Sequence, residues 1–391
     1  MADIDQTGSI LIDSERDSSY GDGDAASETT SLRSTVRSYI YENGRRYHSY
    51  RAGSYWGPND DKAQDNLDLF HHIFSLSLDG RLFLAPIGPD PQRVLDLGTG
   101  TGIWAIDFAD QYPSAAVSAT DLSPIQPDLV PPNLEFFVDD FTSEWTFTPA
   151  SFDFIHARCI YGCVADYDTL YSEVFKALKP GAYFEQAEIS VFPKSDDGSL
   201  VGTFLDTWGP MAIECGEVFG KSFGIAEHTE ELMKKAGFVN VRYQTFKWPI
   251  GPWPKDPGLK RIGAYNRMAW EDGMEGWAIY LFTNYLGWKK EEVDILIARV
   301  RKELRDSKIH AYQNITSPDA PAGVVDWVLN DLSGQKTISW DGCDTSRGFD
   351  SNYDQRRLIA IDIELRPAPN IPATTTTITS SRHTSPNPDP V

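Results

Sequence analysis

Three features of the chain predict an α/β fold: a Rossmann-like, doubly wound parallel sheet with an N-terminal helical lid and a helical, aromatic-rich insertion. The first is Val94-Leu95-Asp96-Leu97-Gly98-Thr99-Gly100-Thr101-Gly102, a short apolar run that reads as a buried parallel strand and passes into alternating glycines. The second is Ile103-Trp104-Ala105-Ile106-Asp107-Phe108-Ala109, whose apolar spacing is that of a helix. The third is the βαβ rhythm that follows.

The glycine loop discriminates among nucleotides. Glycines without a Cβ let the backbone turn tightly and approach a ligand. A phosphate-binding P-loop ends in Gly-Lys-Ser/Thr, and this loop has no lysine. A dinucleotide fingerprint reads Gly-x-Gly-x-x-Gly, whereas here the spacing is Gly-x-Gly-x-Gly. Asp96 stands just before the first glycine, where a carboxylate repels a pyrophosphate but suits an ammonium group. S-adenosylmethionine carries such a group, a sulfonium and no phosphate. Asp121 closes the second strand, Val117-Ser118-Ala119-Thr120, where an acid can accept both ribose hydroxyls. The loop alone leaves a nicotinamide open; Asp96, the loop and Asp121 together favour S-adenosylmethionine.

With 391 residues the chain can bury one large domain with extensions, or two small ones. A formal charge of -22 disfavours direct nucleic-acid binding and an anionic membrane surface. Cys159, Cys163, Cys215 and Cys343 include no Cys-x-x-Cys pair and make no disulfide framework, so a reducing, intracellular setting in cytoplasm or nucleus is expected. The acidic start lacks the apolar core of a signal peptide, and no apolar run is long enough to span a membrane.

Residues 1–30 are Asp-, Ser- and Gly-rich and are expected to be disordered. Residues 31–90 form the expected lid segment. It opens with a block holding Tyr39, Tyr41, Arg45, Arg46, Tyr47 and Tyr50, then carries a helix from about Lys62 to Leu78. Tyr47, Tyr50 and Tyr55 are candidate lid contacts. His71 and His72 lie in that helix without metal-ligand spacing and read as packing or surface residues. The main domain spans 91–312. Its third strand, Leu134–Val138, ends in Asp139-Asp140, where an acid can accept the adenine amine, and its fourth is Phe152–His156. A helix from Asp168 to Leu178 stops at Lys179-Pro180-Gly181, and a fifth strand covers Tyr183–Ile189. Residues 200–290 break the alternation. A turn into a strand is expected at 237–243 and an aromatic, proline-rich loop at 248–254. Trp270, Trp277 and Trp288 then mark a segment suited to lining a substrate pocket. Val293–Leu304 is an amphipathic helix, and the tail from Pro367 is low-complexity.

By its motifs the chain resembles the fungal LaeA-like methyltransferases, class I enzymes dependent on S-adenosylmethionine. The similar stretches are the glycine loop, Asp121-Leu122-Ser123-Pro124-Ile125-Gln126-Pro127, Val130-Pro131-Pro132-Asn133, Asp139-Asp140, Phe152–Arg158, Leu178-Lys179-Pro180-Gly181, Glu42–His48 and Pro58-Asn59-Asp60, within roughly residues 31–312. The resemblance implies a seven-stranded sheet. It also implies that Gly98, Gly100 and Gly102 wrap the methionine portion, that Asp121 with neighbouring Leu122 holds the ribose end, and that Asp139 or Asp140 faces the adenine. A link to secondary metabolism, as regulator or biosynthetic enzyme, follows as well.

One departure stands out. In the family, His-Ala-Tyr leads into a last apolar strand. Here His310-Ala311-Tyr312 runs into polar, proline-containing Gln313–Ala322, so 313–366 reads as an atypical extension and Leu358–Ile363 as the substitute strand.

Methyl transfer needs a base only when the acceptor arrives protonated. His156, at the carboxyl end of the fourth strand, is the first candidate, followed by Glu185, Glu188 and His310; the alternative for His156 is a residue hydrogen-bonded within the loop. Two classes of function stay open. One is a methyltransferase acting on a small molecule or a protein; the other is a regulatory protein of the same fold acting through protein partners.

Overall fold

The computed structural model describes residues 39–322. The expected N- and C-terminal disordered tails and the proposed substitute strand Leu358–Ile363 lie outside the described residues.

The described chain begins with a hairpin, β1 (Ile40–Glu42) and β2 (Arg45–Tyr47), within the segment expected to be helical. Its turn is Asn43-Gly44, both at positive φ (51° and 82°), the backbone that a two-residue hairpin turn demands. Helix α1 (Asp61–Ser77) starts at Asp60, whose carboxylate accepts from Ala63 N and receives two hydrogen bonds from Arg45 at 2.7 and 2.8 Å. One aspartate therefore caps the helix and staples the hairpin to it.

Next come β3 (Arg93–Leu97), α2 (Ile103–Gln111), β4 (Ala116–Asp121), β5 (Leu134–Val138), β6 (Phe152–Arg158), α3 (Tyr167–Ala177) and β7 (Leu178–Ile189). After them follow α4 (Trp208–Phe219), α5 (Thr229–Lys235), β8 (Arg242–Pro249), α6 (Pro257–Asn284), α7 (Lys290–Leu304) and β9 (Tyr312–Pro321). The sheet has seven strands in the order β5-β4-β3-β6-β7-β9-β8. β3 to β7 pair in parallel, and β9 is antiparallel to both of its neighbours. The strand order reverses between β4-β3 and β6-β7, and a ligand crevice opens at the carboxyl ends of strands around such a point. Val94, Leu95 and Leu97 of β3 are fully buried, as an interior parallel strand requires.

Two strand expectations need correcting. β8 begins and ends later than expected, taking in Trp248 and Pro249, which were read as loop. Trp248 is completely buried, and proline is accommodated because β8 is an edge strand. The larger correction is β9: where Gln313–Ala322 reads as lacking a strand, Tyr312–Pro321 inserts between β7 and β8. Some of its polar residues hydrogen-bond to distant parts of the chain, while Asn314 Oδ1 and both Asp319 carboxylate oxygens have no hydrogen-bond partner. Gln313 Oε1 accepts from Trp270 Nε1, and Thr316 Oγ1 donates to Ala226 O at 3.2 Å. Pro318 has no N–H, and the β7 ladder skips it, pairing Glu185 with Asp319 and then Glu188 with Thr316. The last strand of this sheet is polar and buried.

Candidate functional site

The crevice lies where the carboxyl ends of β3, β4 and β6 meet the hairpin segment and α1. Gly98, Thr99 and Gly100 form its floor; Tyr55, Pro58 and Leu67 form its wall. Gly98 and Gly100 hold positive φ (67° and 62°). A Cβ on Gly98 would press within 3.3 Å of Ile160 and Phe141, and one on Gly100 within 3.2 Å of Leu67. Gly102 differs. It is the residue before α2, it does not line the crevice, and a Cβ there would fall 2.4 Å from the Phe136 ring. Its smallness serves helix-to-strand packing rather than ligand approach.

Asp96, on β3, is buried on the crevice wall. His156, its neighbour across the β3–β6 pair, places Nδ1 2.7 Å from Asp96 Oδ1. The imidazole lies flat on Trp104, with centroids 3.7 Å apart and planes 5° off parallel. Burial lowers its pKa, with the Asp96 carboxylate opposing that shift, so the ring is neutral and donates Nδ1–H.

Asp121 ends β4. Its Oδ2 accepts from Gly100 N and its Oδ1 from Ser123 N, each at 2.8 Å. Burial pushes the carboxyl up to about 6, Asp96 adds to the rise, and the backbone donors oppose it. Each oxygen keeps a lone pair for a further donor. Leu122 follows on the same wall.

Of the adjacent acids, Asp140 faces the crevice and Asp139 does not. Asp139 is exposed and accepts from Asp140 N at 2.8 Å, whereas Asp140 receives Thr142 N, Thr142 Oγ1 and Arg51 Nη1. The Arg51–Asp140 pair, at 2.8 Å, ties the hairpin segment across the crevice. Tyr55 lines the crevice. Tyr47 instead packs on Tyr280 and lines a separate cavity that shares Tyr55.

The other base candidates are not crevice residues. Glu185 Oε2 accepts from Leu84 N and Ala85 N, holding the loop before β3. Glu188 Oε1 accepts from Ile160 N and Gln186 Nε2. His310 pairs with Asp197 at 2.6 Å against Trp253. Sequence reasoning missed Arg51, Arg158 and Tyr161. Arg158 Nη2 donates to His71 Nδ1 at 3.2 Å, and His71 Nε2 meets Asp107 at 3.0 Å. Burial, with Arg158 adding to it, lowers His71 to about 4, so the ring is a neutral relay within the packing. No spacing rule pairs an arginine with a histidine so far back in the chain.

The donor set suits S-adenosylmethionine on its own chemistry. The buried Asp96 and the half-buried Asp121 flank glycines held at positive φ, carboxylates of the kind an ammonium and paired hydroxyls need, and the glycine loop itself carries no lysine of the kind a phosphate-binding loop ends in. Comparison with known proteins agrees. A family profile described as Methyltransferase domain matches residues 69–243. The chain is 41% identical over 290 residues to Methyltransferase pytC of Aspergillus terreus, covering 74% of this chain and 89% of that one. It is 36% identical over 308 residues to Secondary metabolism regulator laeA of Aspergillus fumigatus, covering 76% and 82%. With Protein-methionine methyltransferase laeA of Emericella nidulans it shares 36% over 273 residues, covering 69% and 73%. Likeness of this extent, joined to a crevice of this chemistry, makes the chain a member of the LaeA-like family of class I methyltransferases, which take their methyl group from S-adenosylmethionine.

Proposed function

We propose that the protein methylates a small-molecule acceptor in fungal secondary metabolism. The observation that carries the methyl-transfer part of this reading is the pair Asp96 and Asp121 on either side of the glycine floor. When bound, the donor supplies a methyl carbon on a sulfonium already activated as a leaving group. Asp96 would take its ammonium, oriented by His156; Asp121 would accept the ribose hydroxyls; Leu122 and Asp140 would flank the adenine. The hairpin segment excludes water, held over the crevice by Arg51–Asp140 and by Trp56 Nε1, which donates to Tyr161 O at 3.3 Å. Holding the acceptor atom in line at about 3 Å supplies several kcal/mol of the barrier reduction. In this reading His156 positions Asp96 and is not the base.

A second reading, a catalytically weak regulator acting through protein partners, is favoured by one observation. Among the described residues, the one candidate base that reaches the crevice is already tied to a carboxylate. Incubation with methyl-labelled S-adenosylmethionine and a fungal extract separates the two. Label in the organic-soluble fraction supports a small-molecule acceptor. Label confined to precipitated protein overturns it, and donor binding without any transfer favours the regulator.

A further inference from the structure

Beyond the donor crevice, the described residues enclose a second cavity, and four side chains belong to the walls of both: Trp56, Phe70, Tyr161 and Trp277. This cavity continues away from the glycine loop, past the carboxyl end of β7, into the space between α4 and α6. Resting on the methyltransferase reading above, we propose that it is the acceptor site and that it takes a flat, uncharged, aromatic or conjugated molecule bearing an oxygen that accepts a hydrogen bond.

The wall is rigid and aromatic. Trp208, Trp270 and Trp277 meet edge to face, with centroids 5.3 Å apart for the first pair and 5.4 Å for the last. Trp56 stacks on Tyr161 at 5.9 Å and meets Phe223 at 5.4 Å. Such rings bind apolar faces with little loss of conformational freedom. Among the described residues that line it, none carries a charge. A guest ammonium or carboxylate would therefore lose its hydration without gaining an ion pair.

The polar groups narrow the choice. Ser190 is committed, its hydroxyl donating to Glu227. Gln313, on the polar strand β9, receives Trp270 Nε1 and Asn266 Nδ2 on its Oε1. Trp270 Nε1 fixes that oxygen, with Asn266 Nδ2 at 3.5 Å, and the amide NH2 is left as a donor on the cavity wall. A donor there repels a cation, which argues against the choline-type guest that a tryptophan cage otherwise suits. It matches a carbonyl, ether or phenolic oxygen. The unusual polarity of β9 at Gln313 thereby gains a reason: the strand brings an amide to the floor of an apolar pocket.

The test uses the full chain saturated with S-adenosylhomocysteine and titrated calorimetrically with four probes. These are 2-naphthol, naphthalene-2-sulfonate, choline and a short methionine-containing peptide. The proposal expects 2-naphthol to bind one per chain and the other three at least about tenfold more weakly. Ala212→Trp, on a half-buried wall position of α4, fills the cavity; it should abolish naphthol binding and leave S-adenosylhomocysteine affinity unchanged. Gln313→Leu should weaken naphthol about tenfold, the loss of one buried hydrogen bond. If Gln313→Leu fails to fold, Ala212→Trp decides alone. Tighter binding of the sulfonate, choline or the peptide overturns the proposal, as does naphthol binding that survives Ala212→Trp. S-adenosylhomocysteine binding without any naphthol binding also overturns it while sparing the methyltransferase reading. A folded chain that binds no S-adenosylhomocysteine overturns that reading instead.

Discussion

The Asp96 carboxylate and the His156 imidazole are joined at 2.7 Å across neighbouring strands, and the ring is clamped flat against Trp104. This geometry fixes the Asp96 side chain before any ligand arrives. It also takes up the imidazole's proton-bearing nitrogen.

Replacing His156 by Phe keeps the stack on Trp104 and removes the donor. A buried carboxylate left without its donor costs about 1–3 kcal/mol, so donor affinity should fall roughly tenfold or more. Turnover at saturating S-adenosylmethionine should change by less than about threefold, and His156→Asn, which keeps an N–H donor, should recover part of the affinity. Separate measurement of donor Kd and single-turnover rate checks this. A collapse in rate at unchanged Kd would make His156 the base after all.

Gly102 gives a prediction about stability. Ala at φ 81° meets both the left-handed penalty and the Phe136 ring. We expect Gly102→Ala to lower stability by about 2 kcal/mol or more, and Phe136→Leu in the same chain to recover part of it. Chemical denaturation of the parent chain and the two variants reads this directly. Equal stability of Gly102→Ala and the parent chain would return Gly102 to a ligand-facing role.

Glu188 makes stability depend on pH. Burial pushes its carboxyl from 4.5 to about 8, while hydrogen bonds from Gln186 and Ile160 oppose the rise. Its second oxygen has no partner. The folded chain therefore keeps a proton that the unfolded chain releases between those values. Its contribution is fully present below about 4.5 and is lost as pH rises through about 8. Glu188→Gln should flatten the decline in Tm between about pH 5 and 8.5. An unchanged decline would place the titration elsewhere.

The donor crevice was largely legible in the sequence because its parts are local. Asp96, Gly98 and Gly100 belong to one strand and its loop, and Asp121 ends the very next strand. What was illegible depends on distant partners. Neighbouring acids left Asp139 and Asp140 indistinguishable until Arg51 and Thr142 were seen to converge on one of them. Tyr47 and Tyr55 both come from the lid segment, yet Tyr47 packs on Tyr280 and lines another cavity. β9 defeats any hydropathy rule. Gln313 and Thr316 are buried with hydrogen bonds to Trp270, Asn266 and Ala226, and none of these is near in sequence.

The central claim is that Asp121 holds the donor in this crevice, and calorimetric titration with S-adenosylmethionine tests it most directly. The measurement compares the parent chain with Asp121→Asn, with folding of each checked by circular dichroism. Because burial pushes the Asp121 carboxyl up to about 6, its protonation at lower pH competes with acceptance of the ribose hydroxyls. Affinity of the parent chain should therefore hold above that value and fall by up to about tenfold per pH unit below it. The variant should bind about 10–100-fold more weakly at neutral pH, the loss of hydrogen bonds to a charged acceptor, and should lack this acid-side dependence. Equal affinity in the two folded proteins, or no binding by the folded parent chain, would contradict the account.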